Sequence, residues 1–196
     1  GLDLVSGPGC PVCVTPAGYI DAAVELARRE AIVATFGDML GVPGSAGTLE
    51  EARARGADVR LVYSPAEAVA LAGREPDRPL VFLGVGFETT TPTVAAALLL
   101  ARRRGLENFY LLSLAKLVPP ALAAILEAGE AQVDGFLLPG HVCAILGVEP
   151  FRFVAEAHGR PCVVTGFEPL DILQGVEMLC RQAAAGRAEV EIQYSR

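Results

Sequence analysis

Apolar runs of four to seven residues recur along the chain, and each is followed by a stretch with helical spacing. That alternation constrains the fold more than any other feature. The runs centre on residues 2–5, 31–36, 58–63, 80–85, 108–114, 135–138 and 161–165. They are continuous rather than alternating, as expected when helices cover both faces of a sheet. Helical patterns fill residues 16–29, 48–55, 65–73, 92–104, 119–128, 150–158 and 169–185. Several open on proline and close near glycine, the asymmetry of helix ends. The order predicts an α/β protein of two Rossmann-like units, each a parallel sheet flanked by helices.

A charged, proline-bearing stretch at 73–79 reads as a linker, giving a first unit at 1–76, a second at 77–188 and a returning strand at 189–196. The two units share a rhythm. Pro8 and Phe36 stand 28 residues apart, as do Pro139 and Phe167. Gly86-Phe87-Glu88 is repeated as Gly166-Phe167-Glu168. The reading is two similar units facing across a cleft lined by their strand ends. Both termini interrupt a strand-like pattern, so a piece of a longer protein is expected.

Composition removes several functions. A net charge of −7 opposes nucleic-acid binding, which needs a basic surface. The longest apolar stretch, 94–101, is too short to cross a bilayer, so no membrane partner is expected. Five cysteines, clustered only at Cys10 and Cys13, do not form a secreted disulfide framework, and a reducing cytoplasm fits better.

The polar motifs converge where chemistry is expected in open α/β sheets, beyond the carboxyl ends of strands. The first is Ser6-Gly7-Pro8-Gly9-Cys10-Pro11-Val12-Cys13-Val14-Thr15-Pro16, a Cys-x-x-Cys pair in a glycine/proline loop. Thr15 is the expected cap of the following helix, whose N-terminus favours thiolate over thiol. Such a pair exchanges disulfides or holds a soft metal; a packing role is the alternative. His141, beside Cys143, is a thiol-activating base, a metal ligand or a structural residue in a loop. Asp38, Glu168 and Asp171 orient the cysteines or His141, or else cap helices. Thr35, at a strand end, is with Glu88, Thr89, Thr90, Glu168 and Asp171 a candidate for binding a ligand or partner. Glu88 with Thr89 and Thr90 forms an anion-binding or hydrogen-bonding platform, or an N-cap. Gly84-x-Gly86-x-x-Thr89 lacks the third glycine and the distal acid of a dinucleotide site. A single Cys-x-x-Cys supplies only two of the four ligands of structural zinc. Cys10 and Cys13 remain the possible metal ligands.

Five ordered motifs then resemble the HypD family of hydrogenase maturation proteins. They are residues 7–16; Thr35-Phe36-Gly37-Asp38-Met39 with Val42-Pro43-Gly44-Ser45; Gly86 to Pro92; Pro139-Gly140-His141-Val142; and Gly166 to Ile172. The resemblance implies a maturation factor rather than a conventional turnover enzyme. It would act with HypC and HypE, the latter supplied by HypF, in assembling the Fe(CN)2CO group of NiFe hydrogenase. Cys10 and Cys13 would be its redox-active thiols, and His141 and Asp38 would shape the cleft. A 4Fe-4S cluster is implied only for a C-terminal segment outside this chain. Three departures stand out. The family's N-terminal Cys-Gly-Gly-His-Thr motif is absent, the cluster cysteines are absent, and Gly41 occupies a position where arginine is usual. This chain alone is therefore not expected to assemble the cofactor. A general thiol-disulfide oxidoreductase and a small-molecule-binding α/β protein are the alternatives.

Overall fold

The computed structural model describes every residue except 8, 130, 131 and 196. It divides into two compact units, Gly1–Lys116 and Leu117–Arg196. Each is an α/β unit with a parallel sheet flanked by helices.

The sheet of the first unit has the order β2-β1-β3-β4, formed by β1 (Ile32–Thr35), β2 (Val59–Leu61), β3 (Leu80–Gly86) and β4 (Phe109–Ala115). All pairings are parallel, with Val33 opposite Val59 and Val81, and Phe82 opposite Leu111. The inner strands β1 and β3 are buried throughout, which is why they read as unbroken apolar runs. Helix α1 (Ala17–Arg28) buries Ile20, Ala23, Val24 and Ala27, one helical stripe, on one face. Met39 and Leu49 complete that layer; Leu49 opens α2 (Leu49–Ala54). On the other face, Ala68 and Ala72 of α3 (Pro65–Arg74) and Val94 of α4 (Thr91–Arg103) pack on Ile32, Leu80 and Phe82.

The second unit carries a three-stranded parallel sheet, β5-β6-β7: β5 (Phe136–Pro139), β6 (Cys162–Thr165) and β7 (Val190–Ile192). Its core joins Leu138, Val142, Cys143, Phe151, Val154, Cys162 and Val164. Helices α5 (Val118–Ala128), α6 (Gly140–Leu146), α7 (Arg152–Glu156) and α8 (Pro169–Ala184) flank the sheet. Gln182 is fully buried. Its amide donates to the Cys162 carbonyl at 3.3 Å, and its side-chain oxygen accepts from the Glu189 N–H at 2.8 Å. One side chain thus ties α8 to β6 and to the entry of β7.

Three expectations change. Residues 2–5 form no strand; Leu2, Leu4 and Val5 are exposed. The stretch at 73–79 connects α3 to β3 inside the first unit, because β3 lies between β1 and β4. It is held rather than slack: the Asn108 amide donates to the carbonyls of Ala72, Glu75 and Arg78 at 2.9–3.0 Å. His141 lies in the first turn of α6, not in a loop. Proline and glycine at its start concealed that short helix, which ends at Gly147 with φ 74°.

Candidate functional site

The Cys10–Thr15 segment is a tight turn stitched by backbone bonds, from Val14 N–H to the Cys10 carbonyl (3.3 Å) and from Thr15 N–H to the Val12 carbonyl (3.1 Å). Thr15 does not cap α1. Pro16 holds the cap position, and the Thr15 hydroxyl donates backward to the Pro11 carbonyl at 2.9 Å. The residue expected to start the helix instead closes the cysteine loop.

Within that loop the Cys13 backbone N–H donates to Cys10 Sγ at 3.3 Å. Cys10 is half-buried and Cys13 exposed, both as free thiols. The two sulfurs are electrostatically unequal. Hydrogen bonds from the Cys13 side chain and then its N–H lower the pKa of Cys10, against smaller opposing effects of desolvation and then Asp38. Donation to Cys10 raises the pKa of Cys13. Cys10 is therefore the more readily deprotonated sulfur of the pair.

Asp38 reaches this neighbourhood from the 3-10 turn Gly37–Met39, which directly follows β1 and is anchored by the fully buried Met39. An open groove of about 330 Å³ runs beside the thiols, lined by Val12, Cys13, Thr15, Asp38, Gly41, Val42 and Pro43. Just after Pro43 the chain is held to α1: Asp21 accepts from the Ser45 N–H at 2.7 Å, the Ser45 side chain and then its N–H lower the Asp21 pKa, and Gly44 pairs with Gly47. A side chain at Gly41 would enter open space. Nothing in local sequence spacing marked Asp21 and Ser45 as partners, because the contact spans 24 residues.

The other candidates fall elsewhere. Thr35 is buried at the end of β1, its hydroxyl donating to the Phe36 carbonyl at 3.3 Å. Glu88 is buried and Thr89 exposed in the turn before α4. Thr90 is at the cap position, but its side chain accepts no cap hydrogen bond. The hydroxyls of Thr91 and Thr93 donate to the carbonyls of Phe87 and Thr90. Thr90 and Thr91 also line a second cavity of about 110 Å³, mostly apolar, between β3, β4 and α4. In the second unit, His141 stands 5.1 Å from the Phe167 ring and 5.5 Å from that of Tyr194, centroid to centroid. Glu168 is at the cap position of α8. Buried Asp171 accepts from Gln193 at 3.0 Å, which ties α8 to the segment after β7. The structure thus groups Cys10, Cys13 and Asp38 in the first unit, and separately His141, Glu168 and Asp171 in the second. Among the described residues, no three His, Cys, Asp or Glu side chains come together as a metal-holding set. Nor is any described helix long and apolar enough to cross a membrane.

A family model described as "HypD: Hydrogenase formation hypA family" matches residues 1–196. The chain belongs to the HypD family. It is 49% identical over 197 residues to the hydrogenase maturation factor HypD of Rhodobacter capsulatus, covering 100% of this chain and 52% of that protein. It is 50% identical over 196 residues to the protein of the same name from Escherichia coli K12, again 100% of this chain and 52% of the relative. The Cupriavidus necator protein of that name is 47% identical over 201 residues, covering 98% of this chain and 53% of the relative. The chain therefore spans about half the length of these HypD relatives.

Proposed function

We propose that this chain is the thiol-redox portion of a hydrogenase maturation scaffold. It acts with HypC and HypE while iron, the cargo, acquires its cyanide and carbon monoxide ligands. Cys10 and Cys13 cycle between dithiol and disulfide and deliver two electrons as a unit. The observation that carries this reading is the Cys13 N–H directed at Cys10 Sγ, 3.3 Å away, which stabilises a thiolate beside a second thiol. Family membership supports the hydrogenase context, since the relatives are named hydrogenase maturation factors. Asp38 shapes the thiol groove; His141, Glu168 and Asp171 serve a binding surface of the second unit. A 4Fe-4S cluster has no donor set among the described residues. The proposed thiol chemistry does not pass through one held by this chain.

The test is complementation of a strain lacking the endogenous factor, using the full-length protein with Cys10→Ser, Cys13→Ser or both. Each variant should lose hydrogenase activity, because one thiol cannot close the intramolecular disulfide. The fold should persist, since truncation at these loop positions costs about 1 kcal/mol or less. Near-normal activity from a double variant present at wild-type level would leave the pair structural and overturn the reading.

A further inference from the structure

The groove meets the cysteine loop on one side only. Cys13 lines it and Cys10 does not. Cys13 is also the exposed sulfur, whereas Cys10 is half-buried behind it under the Cys13 N–H. We propose that the oxidised pair is opened by an incoming thiolate at Cys13 Sγ, with Cys10 as the leaving group and the groove seating the thiol-bearing molecule. This rests on the redox reading above and assigns its direction.

The step balances. The incoming sulfur bonds to Cys13 Sγ as the Cys10–Cys13 bond breaks, and Cys10 departs as a thiolate held by the Cys13 N–H. A second thiolate then attacks the incoming sulfur, releasing an external disulfide and the Cys13 thiolate, which takes a proton from water. Two external thiols are oxidised and the pair gains two electrons. Exchange favours the accessible sulfur and the leaving thiolate of lower pKa, and here both criteria select the same direction.

The groove also selects by charge. Its charged wall residue is Asp38, set among Val12, Val42 and Pro43. An acid beside the point of attack favours thiols carrying positive charge and disfavours anionic ones. The substrate class is thus a thiol in a cationic or neutral setting, such as a cysteine flanked by a basic group.

The experiment uses the intact protein, oxidised with diamide. It is mixed briefly with 2-mercaptoethylamine or 2-mercaptoethanesulfonate at equal thiolate concentration and quenched with excess iodoacetamide. Peptide mass spectrometry locates the adduct. The expected product carries the external thiol on Cys13 and the alkyl group on Cys10. The cationic thiol should open the pair at least about threefold faster than the anionic one, and Asp38→Asn should remove most of that ratio. Gly41→Leu should slow opening, because Gly41 lines the groove and a Cβ added there meets nothing within 4 Å. An adduct on Cys10, or one spread equally over both sulfurs, overturns the direction of attack and leaves the redox reading standing. A charge ratio that survives Asp38→Asn overturns the role of the groove. Failure of diamide to form the Cys10–Cys13 disulfide overturns the redox reading and this inference together.

Discussion

A Cys-x-x-Cys pair is conspicuous in any sequence, but spacing does not say which sulfur is the thiolate. That depends on donors. The Cys13 side chain and backbone both donate to Cys10, and that donation raises the pKa of Cys13 in turn. Reduced protein should therefore alkylate first at Cys10, with a midpoint below that of an ordinary thiol, and at Cys13 with a midpoint above it. Cys13→Ala should raise the Cys10 midpoint without restoring the ordinary value, because the side-chain donor is lost and the N–H stays. Iodoacetamide labelling against pH, read by mass spectrometry, checks this; equal midpoints for the two cysteines would contradict it. Asp38 was legible as a strand-end carboxylate, yet its partners were not. The groove it shares with Cys13, Gly41 and Pro43 joins segments about 25 residues apart, which no local pattern announces.

At the level of elements, long periodic segments were readable and short polar ones were not. The strands from 31–36 to 161–165 appear where continuous apolar runs predicted them, with ends displaced by no more than two residues. The run at 2–5 misled because β-propensity needs a paired neighbour, and these residues are exposed. Helix α6 was hidden by its Pro139-Gly140 start, which moved His141 from an expected loop onto a helix. The stretch at 73–79 misled in another way. Its glycine, prolines and charges match linker chemistry, but tertiary hydrogen bonds from Asn108 override composition. Three carbonyls share that one amide. Asn108→Ala should cost about 1–3 kcal/mol, the usual penalty for orphaning partly buried polar groups. It should also open the loop to proteolysis between α3 and β3. Denaturant unfolding and limited digestion measure both, and a change below about 0.5 kcal/mol with an intact loop would count against this anchoring.

Across the first unit, the two ends of the sheet do different work. The carboxyl ends of the strands lead toward the thiols, Asp38 and both cavities. The amino ends are sealed by a polar network. Arg60 grips Asp58 through two bonds of 2.8 Å and also pairs with Glu75, while Arg78 bonds Asp58 at 2.8 Å and Glu75 at 3.0 Å and reaches the Glu30 carbonyl. These contacts join the segments that feed β1, β2 and β3. Arg60 and Arg78 lower the pKa of Asp58, and the same two guanidiniums lower that of Glu75. The sign follows. Carboxylates with depressed pKa values bind fewer protons folded than unfolded, so their stabilisation is complete above the unfolded carboxylate range of about 4 and is lost as pH falls through the folded values. The second unit has no equivalent among its described residues. Its pairs, such as Arg152–Glu149 and Arg181–Glu177, are well exposed and contribute little. Acidification below about pH 4 should therefore loosen the first unit before the second. Hydrogen exchange corrected for intrinsic rates should show residues 58–61 and 73–80 losing protection ahead of 162–165 and 171–184. Arg60→Met should lower protection of the first unit at neutral pH and partly flatten its acid dependence, because the larger of the two guanidinium contributions to both carboxylates is gone while that of Arg78 stays. Parallel loss in the two units, or an acid profile unchanged by Arg60→Met, would show that this network does not govern the acid response.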